Sequence, residues 1–341
     1  MFWEKEGKLI YSYDGETVCI EAWGKDALRV RATKNRSFTG RDWALEAKDA
    51  HAGEVEIFED PSAKGGAFAN MYEGTDTSYG KITNGKLHAV IDSGSVITFY
   101  HEDGRVLLKE HFRRLRDEES MPLNIMGREY SNGVGDNFRI VTRFVARKGE
   151  KIFGMGQYQQ HELDLKGCML ELAQRNSQVS VPFYLSSIGY GFLWNNPGVG
   201  QVMFANNGTE WVTESGKEID YLVIAGDTPA EIEENYMTLT GKPPMMPEYG
   251  MGFWQCKLRY WNQEQLLSVA RKYKELGVPL DVIVVDFFHW TKQGEFKFDP
   301  KYWPDVPGMC RELKEMGIQV VVSVWPTVDI YSENFEEMKE K

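Results

Sequence analysis

The segment "DVIVVDFFHW", residues 281–290, decides the fold of the second part of the chain. Its β-branched run from Val282 to Val285 has the composition of a strand buried on both faces, which is typical of a parallel sheet covered by helices. The run leads directly into Asp286. Because a bare carboxylate is costly to bury, we expect a site at this strand end that satisfies the charge.

The sequence on both sides of this strand alternates between helix and strand patterns. In "NQEQLLSVARKYKELG" (262–277), Asn262 and Gln265 form a capping box, and Gly277 lies just past the helix end. The other predicted elements are the strands "GMGFWQCK" (250–257) and "IQVVVSVWP" (318–326) and the helices "PGMCRELKEMG" (307–317) and "SENFEEMKEK" (332–341). Apolar strands that alternate with helices predict a parallel α/β sheet.

The preceding residues have the pattern of a different fold class. Short segments rich in β-branched and aromatic residues, such as "TVCIEAW" (17–23) and "DYLVIAG" (220–226), are separated by Gly, Asn and Asp turn signals. No helical period of useful length interrupts them. Many short strands joined by turns predict an antiparallel β-sandwich.

A short helix and a proline-rich segment separate the two patterns. Thr228 is placed to cap a helix that has Pro229 at its first position, and the following "GKPPMMPEYG" is typical of a stiff connector. We therefore predict a sandwich domain at residues 1–235, a linker at 236–248 and an α/β domain at 249–341.

Composition excludes several classes of partner. The formal charge of -12, without a basic stripe, argues against a nucleic-acid or anionic-membrane partner. The N-terminal sequence has no apolar run that fits a signal peptide or a membrane span, so we expect a cytoplasmic location. The four cysteines have neither CxxC pairs nor histidines at metal spacing, which predicts no disulfide framework and no metal site.

The ends of the predicted parallel strands carry the candidate site residues, because ligands of α/β sheets bind beyond the carboxyl ends of the strands. These residues are Phe253, Trp254, Gln255, Cys256 and Lys257 on the first strand, Asp286, Phe287, Phe288, His289 and Trp290 on the second, and Trp325 on the third. A carboxylate among aromatic rings is typical of a sugar site, in which rings contact the apolar sugar faces and the carboxylate accepts hydroxyl protons. A loop-capping aspartate with aromatic filling is the structural alternative.

Both parts of the chain carry a resemblance to a known family. "GKPPMMPEYGMGFWQCKLRYW", "DVIVVDFFHW" and "VVVSVWPTV" resemble the start of the (β/α)8 TIM barrel of glycoside hydrolase family 31, the α-glucosidases and α-xylosidases. "EKIFGMGQYQQ" and "VPFYLSSIGYGFLWNN" are similar to the galactose-mutarotase-like sandwich that precedes this barrel. The resemblance implies a sandwich followed by about three of the eight barrel units.

The resemblance also implies roles for residues of this chain. Asp286 matches the carboxylate that binds sugar hydroxyls in the −1 subsite, and Trp325 matches a tryptophan that lines it. Trp254, Phe287 and Phe288 fall among the aromatic walls, while Gln157 and Tyr158 lie on a loop that leans over the mouth in family members. Oligosaccharides or small glycosides are the expected substrates, without a cofactor.

The family members are retaining enzymes with two catalytic aspartates about 5 to 5.5 Å apart, both placed after the fourth barrel strand or later. The resemblance therefore implies that the nucleophile and the acid/base lie beyond Lys341. On this expectation, no catalytic residue lies within the chain, and the chain alone is inactive. "GQYQQ" and "DFFHW" resemble the α-xylosidase branch of the family more closely than the α-glucosidases. A bulky Phe287 or Phe288 near the position of a hexose hydroxymethyl group would also favour a pentose such as xylose.

Two other functions stay open from the sequence. One is a non-hydrolytic carbohydrate-binding or assembly module, which the missing carboxylate pair favours. The other is an aldose-1-epimerase-like activity of the sandwich, which requires a histidine and a carboxylate that converge. Three barrel units also leave an open sheet edge and bare apolar faces, which favours homo-oligomers.

Overall fold

The computed structural model describes residues 1–61, 77–111, 113–115 and 123–341, and these form two compact units. The first unit comprises residues 1–243 and the second comprises residues 244–341. The division falls inside the segment predicted as a linker. The predicted domain limits at residues 235 and 248 remain a prediction.

In its described residues, the first unit contains antiparallel sheets and one α-helix. Its strands are β1 (Phe2–Lys5), β2 (Lys8–Tyr13), β3 (Glu16–Trp23), β4 (Ala27–Thr33), β5 (Ala50–His51), β6 (Glu54–Phe58), β7 (Tyr79–Asn84), β8 (Leu87–Asp92), β9 (Ile97–His101), β10 (Val106–Lys109), β11 (Arg113–Leu115), β12 (Leu123–Ile125), β13 (Arg128–Asn132), β14 (Phe138–Phe144), β15 (Ile152–Gln157), β16 (Met169–Leu172), β17 (Val179–Ser186), β18 (Tyr190–Trp194), β19 (Gly200–Phe204), β20 (Thr209–Gly216) and β21 (Ile219–Ala225). A 3-10 turn spans Ala47–Asp49, and the helix is α1 (Pro229–Thr240).

Three larger sheets and one hairpin contain these strands. The nine-stranded sheet has the order β1-β2-β3-β4-β21-β18-β17-β15, with β5 paired to β3. Five-stranded sheets have the orders β13-β14-β20-β19-β16 and β10-β9-β8-β7-β6, and β11 pairs with β12. Every strand pairing that the structure describes in this unit is antiparallel, which confirms the predicted fold class.

One hydrophobic core joins the three larger sheets. Leu9 of β2, Ile82 of β7 and Trp211 of β20 are fully buried and belong to the same apolar cluster. The ring of Trp211 lies 5.1 Å from Phe192 and 5.5 Å from Trp194, measured between centroids. Stacked aromatic rings bury large apolar areas, so this cluster stabilises the unit.

The glycine-rich "GMGQYQ" is a bulge between β15 and β17. Gly154, Met155 and Gly156 have φ values of 113°, 69° and 93°, and the strand register shifts between the two glycines. A Cβ atom on Gly156 would lie 2.3 Å from the carbonyl oxygen of Val179. The two glycines are therefore required by the backbone geometry of the bulge.

The helix α1 begins and ends as the sequence predicts. The Thr228 hydroxyl accepts a hydrogen bond from the Glu231 backbone N–H at 3.2 Å, Pro229 is the first helical residue, and Gly241 follows the end with φ 98°. Ile232 and Leu239 are buried in an apolar cluster with residues of the nine-stranded sheet. This packing fixes the helix to the sandwich unit.

The second unit is a three-stranded parallel sheet with helices. Its elements are the 3-10 turn Glu248–Met251, the strands β22 (Trp254–Gln255), β23 (Val282–Val285) and β24 (Gln319–Val322), and the helices α2 (Gln263–Glu275), α3 (Val306–Glu315) and α4 (Phe335–Glu340). The order is β22-β23-β24, with parallel pairings, as predicted. Ile283 and Val285 are buried in a cluster that also contains Leu266 of α2 and Leu313 of α3.

Two details of this unit differ from the sequence prediction. The first strand is shorter than the predicted 250–257, because the 3-10 turn precedes it and the chain leaves the sheet after Gln255. The Asn262 side chain caps α2 as predicted, by accepting from the Gln265 N–H at 2.9 Å. In a complete capping box the Gln265 side chain would accept the N–H of Asn262. It instead accepts the N–H of Trp261, the residue before the cap, at 2.8 Å.

A buried ion pair joins β4 to β21 in the nine-stranded sheet. Arg29 Nε and Nη2 donate to the two carboxylate oxygens of Asp220 at 2.9 and 2.6 Å, and both side chains are buried. Burial raises the pKa of Asp220 to about 6, although the hydrogen bonds from Arg29 oppose this rise. The carboxylate is therefore ionised at neutral pH.

No helix among the described residues has the length and apolar character needed to cross a membrane.

Replacing Gly156 with Ala should destabilise the first unit by about 3 kcal/mol or more, because a left-handed φ costs an L-residue free energy and the new methyl group meets a carbonyl. Gly149 is the matched control, since its φ is 81° and no atom lies within 4 Å of the position that its new methyl group would take. Gly149→Ala should cost about 1 kcal/mol. Urea unfolding followed by circular dichroism measures both values, and equal losses would contradict the role of the carbonyl contact.

Asp220→Asn should lower the free energy of unfolding by about 3 to 5 kcal/mol, because it removes the charge partner of a buried guanidinium. Asp136 pairs with Lys217 at 2.8 Å on the surface and is the matched control. Asp136→Asn should leave the unfolding midpoint nearly unchanged, since solvent screens exposed pairs. A small effect of Asp220→Asn in urea unfolding would show that the buried pair is dispensable.

Candidate active site

Asp286 lies directly after β23, at the carboxyl end of the parallel sheet. One carboxylate oxygen accepts the Phe287 N–H at 2.8 Å, and the Cys256 thiol lies 3.6 Å from the other oxygen. Partial desolvation and the neighbouring carboxylate raise the pKa of the Cys256 thiol, so the thiol is protonated, and its single S–H is shared between Asp286 and the Lys257 carbonyl, which lies 3.5 Å away. Asp286 is only half-buried. Its charge is therefore satisfied by two donors and remains accessible to a ligand.

Four aromatic residues surround this strand end. The rings of Phe287 and Trp325 stack with centroids 5.3 Å apart and an interplanar angle of 18°, and Phe287 meets Phe288 edge-on at 4.5 Å. Trp290 lies 5.9 Å from Phe288 and 6.1 Å from Trp325. Together with Asp286, these four residues form what we name the Asp286 cluster.

The Asp286 cluster keeps part of its aromatic surface open. Phe288 and Trp325 are 50% and 41% exposed, whereas Trp290 is buried beneath them. Exposed aromatic rings beside a carboxylate can contact the apolar face of a sugar while the oxygens accept its hydroxyl protons. The arrangement can therefore bind a polyol ring.

The backbone at Phe288 is strained, with φ 61°. The guanidinium carbon of Arg259 lies 5.2 Å from the Phe288 ring centroid and 3.7 Å from that of Trp261. Arg259 itself has φ 90°. Strained residues of this kind are enriched at ligand sites.

Cys256 is one of the residues expected at the end of the first strand, whereas sequence reasoning missed Arg259 and Trp261 as parts of this site. All three follow β22 within the segment "QCKLRYW", which is the loop after the first parallel strand. The position of the loop was the available signal, because such loops gather at the ligand-binding end of a parallel sheet.

Trp254 lies apart from the Asp286 cluster, contrary to the expectation that it lines the same subsite. The strand register pairs Trp254 with Val282, at the start of β23, whereas Asp286 follows its end. At about 3.3 Å per residue, the two positions differ by about 13 Å along the strand direction. The physical reason is the short first strand, which begins rather than ends at Trp254.

Gln157 and Tyr158 lie in the first unit. The Tyr158 hydroxyl donates to the Glu171 carbonyl at 2.8 Å and contacts the Ser180 hydroxyl at 2.7 Å, so it is held within the sandwich. Gln157 ends β15 with an exposed side chain. The assignment of both residues to a sugar site stays a prediction.

His289 supports the strand end rather than facing a ligand. It is buried, its Nδ1 lies 3.1 Å from the Asp286 carbonyl, and its ring packs 4.8 Å from those of Trp290 and Phe298. Burial lowers the pKa of His289, which keeps the ring neutral.

Lys341 directly follows α4. Its backbone N–H donates to the Glu337 carbonyl at 3.3 Å, and its ammonium group pairs with the Glu337 carboxylate on the exposed surface of this helix. Neither contact involves the Asp286 cluster. The expectation that the nucleophile and the acid/base lie beyond Lys341 stays a prediction.

The described residues contain no group of three or more His, Cys, Asp or Glu side chains that could hold a metal ion. In the first unit, the buried His101 has its ring nitrogens 3.2 and 3.3 Å from carboxylate oxygens of Asp103 and Asp227. These two carboxylates also pair with Arg105 and Lys86. The histidine thus lies against two surface ion pairs, and this pattern favours a structural role over that of an epimerase base.

Two family models match the chain. Residues 17–202 match the glycosyl hydrolase 31 N-terminal galactose mutarotase-like domain, and residues 243–341 match the glycosyl hydrolases family 31 TIM-barrel domain. The predicted order of a mutarotase-like sandwich and the start of a barrel is therefore confirmed.

Relatives of known sequence and structure agree with these models. An uncharacterized family 31 glucosidase, ORF2 of Pseudescherichia vulneris, is 42% identical over 99% of this chain and 63% of its own length. An α-xylosidase of Saccharolobus solfataricus is 36% identical over 60% of this chain and 29% of its own length.

Among solved structures, a GH31 α-xylosidase from a soil metagenome, in complex with xylose, is 44% identical with a TM-score of 0.86. It covers 100% of this chain, which in turn spans 49% of that protein. The chain thus spans less than two thirds of the length of these relatives. Together with the two domain matches, the similarity shows that this chain belongs to glycoside hydrolase family 31.

Proposed function

We propose that this chain is part of a retaining α-glycosidase that removes terminal α-linked sugars, with xylose preferred over glucose. The observation that carries the proposal is the Asp286 cluster, a half-buried carboxylate among open aromatic rings at the ligand-binding end of the sheet. The similarity to a xylose-bound α-xylosidase and to a second α-xylosidase supports the sugar class.

Each part of the cluster has a role in this proposal. The Asp286 oxygens accept protons from two neighbouring hydroxyls, which orients the sugar ring. The stacked Phe287 and Trp325 cover an apolar face of the ring and exclude water from it. Phe288 fills the space that the hydroxymethyl group of a hexose would need, and a pocket contact of this size discriminates by about 10- to 200-fold.

The nucleophile and the acid/base are proposed to lie beyond Lys341, outside these 341 residues. Asp286 directly follows β23, and the residues that directly follow β22 and β24 are Cys256 and Ser323, which are not carboxylates. A retaining mechanism needs two carboxyl groups about 5 to 5.5 Å apart. In this proposal the described residues bind and orient the sugar, and later barrel strands supply the covalent chemistry.

A non-hydrolytic carbohydrate-binding module is the second candidate. It is favoured by the residues that directly follow the three parallel strands, because only one of them, Asp286, is a carboxylate, whereas hydrolysis needs a pair. The two candidates differ in whether the longer protein that contains this chain turns over glycosides.

Hydrolysis of p-nitrophenyl α-D-xyloside and α-D-glucoside by this chain and by a form extended through its complete reading frame tests the proposal. We expect turnover by the extended form alone, with the xyloside preferred. In that form, Asp286→Asn should lower kcat/KM by about 100-fold or more, because a charged hydrogen-bond acceptor is lost.

Glu264→Gln, an exposed change on α2, is the matched control and should leave kcat/KM unchanged. Activity of the 341-residue chain itself would place the catalytic pair within it. An inactive extended form that still binds xylose would favour the binding module.

Phe288→Ala in the extended form should shift the preference from xyloside toward glucoside by about tenfold, because it frees room for a hydroxymethyl group. The measurement is the ratio of kcat/KM values for the two aryl glycosides. Phe296→Ala is the control, since Phe296 is also exposed and its ring does not contact those of the Asp286 cluster in the described part of the chain. An unchanged ratio in Phe288→Ala would remove Phe288 from the specificity pocket.

A further inference from the structure

The first unit contains a cavity of about 730 Å³ that the proposed hydrolysis does not use. It lies between the segment after β4 and the turns that precede β14, follow β18 and join β20 to β21. This loop groove is lined by Arg36, Phe38, Arg41, Trp43, Asn137 and Asn196, among others. Its volume is within the range of about 300 to 1,000 Å³ that is usual for small-molecule sites.

The segment that forms one wall of the loop groove is anchored by a buried carboxylate. Glu218 is 4% exposed, and its two oxygens accept the backbone N–H and the hydroxyl of Thr39, both at 2.8 Å. The Asn35 side chain donates to the carbonyls of Asp136 and Lys217 at 3.0 and 3.3 Å. The wall is therefore held in place before any ligand arrives.

The backbone on both sides of Trp43 is held by the buried network around Asp220. Arg29 donates to the Asp42 carboxylate at 2.7 Å, and Asn195 donates to the Asp42 carbonyl at 3.1 Å. Asn195 also accepts the Ala44 N–H at 3.3 Å. Buried polar groups thus fix the two residues adjacent to Trp43.

Trp43 is presented to the loop groove in a strained conformation. Its φ is 55°, in the left-handed region that bulky residues rarely occupy, and its side chain is 44% exposed. Strain that the surroundings enforce and that leaves a large apolar ring open to solvent is characteristic of binding sites.

The charged groups of the loop groove leave donors free. Among the described residues, Arg36 and Arg41 have no carboxylate within 4.0 Å, and the Arg41 guanidinium lies 5.2 Å from the Trp43 ring centroid. The neighbouring carboxylates are engaged, because Asp136 pairs with Lys217 and Asp220 pairs with Arg29. The groove therefore offers a partly exposed indole, with the Arg41 guanidinium over one of its faces, beside unpaired guanidinium donors.

We propose that the loop groove is an accessory site for an oligosaccharide, with one sugar ring stacked on Trp43 and its hydroxyls bound by Arg36 and Arg41. An aromatic ring with adjacent unpaired donors matches a polyol, whose ring is apolar and whose hydroxyls accept hydrogen bonds. The choice of a sugar over other ligands rests on the proposed glycosidase function. Such a site holds a long substrate near the enzyme and raises its effective concentration.

Indole N–H signals in ¹H–¹⁵N spectra of the 341-residue chain test this proposal directly. The Trp43 signal is identified by its loss in Trp43→Ala, and Trp254 and Trp325 are identified in the same way to report on the second unit. Xyloglucan heptasaccharide is the probe, and inorganic phosphate is the second titrant, because two unpaired arginines could also bind an anion. We expect the heptasaccharide to shift the Trp43 signal in a saturable manner.

The variants separate the two sites. The double variant Arg36→Ala with Arg41→Ala should raise the Kd for the heptasaccharide, measured from the Trp43 signal, by about tenfold. Asp286→Ala should leave this Kd unchanged. Trp3→Ala, which removes another partly exposed tryptophan, should also leave it unchanged. Failure of the glycosidase proposal would appear in the activity assays and not in the Trp43 signal.

Three results would overturn the accessory site. The first is that millimolar heptasaccharide does not shift the Trp43 signal. The second is that phosphate shifts this signal and the heptasaccharide does not. The third is that the double arginine variant binds the heptasaccharide as tightly as the unchanged chain. Circular dichroism and dispersion of the remaining indole signals establish that each variant is folded.

Discussion

The bidentate contact between Arg29 and Asp220 organises much of the first unit. It lies where β4 meets β21, at the middle of the nine-stranded sheet, and a guanidinium buried there needs partners for its remaining N–H groups. Those partners are the Asp42 carboxylate and the Arg41 carbonyl. The segment after β4 must therefore return across the sheet, and this return forms one wall of the loop groove.

The second unit solves a related electrostatic problem in a different way. Asp286 follows a strand of valines and isoleucine, yet it stays half-buried and takes two local donors from Phe287 and Cys256. No cation is fixed against it among the described residues. A carboxylate arranged in this way keeps lone pairs for hydroxyl groups, whereas a salt bridge like that of Asp220 would leave few.

Features encoded by neighbouring residues were predictable from the sequence. The caps at Thr228 and Asn262 and the β-branched run of β23 depend on contacts within a few positions, so their patterns indicated the correct elements. The position of Trp254 depends on the register between strands, and the local pattern does not contain that register. The pair of Arg29 with Asp220 and the groove beside it depend on residues far apart in the chain, which is why no motif indicated them.

The pairing of β4 with β21 also has a consequence for synthesis. Arg31 and Asp220 are register partners in a ladder whose strands leave the ribosome far apart in time. At a translation rate of about 5 to 20 residues per second, β21 is synthesised about 10 to 40 s after β4. Until β21 is synthesised, β4 has no partner on that side, and Arg29 and Arg31 of β4 carry charge there. Charged residues on an unpaired strand oppose pairing between chains, so we expect the arginines that later pair with β21 to disfavour aggregation of the nascent chain.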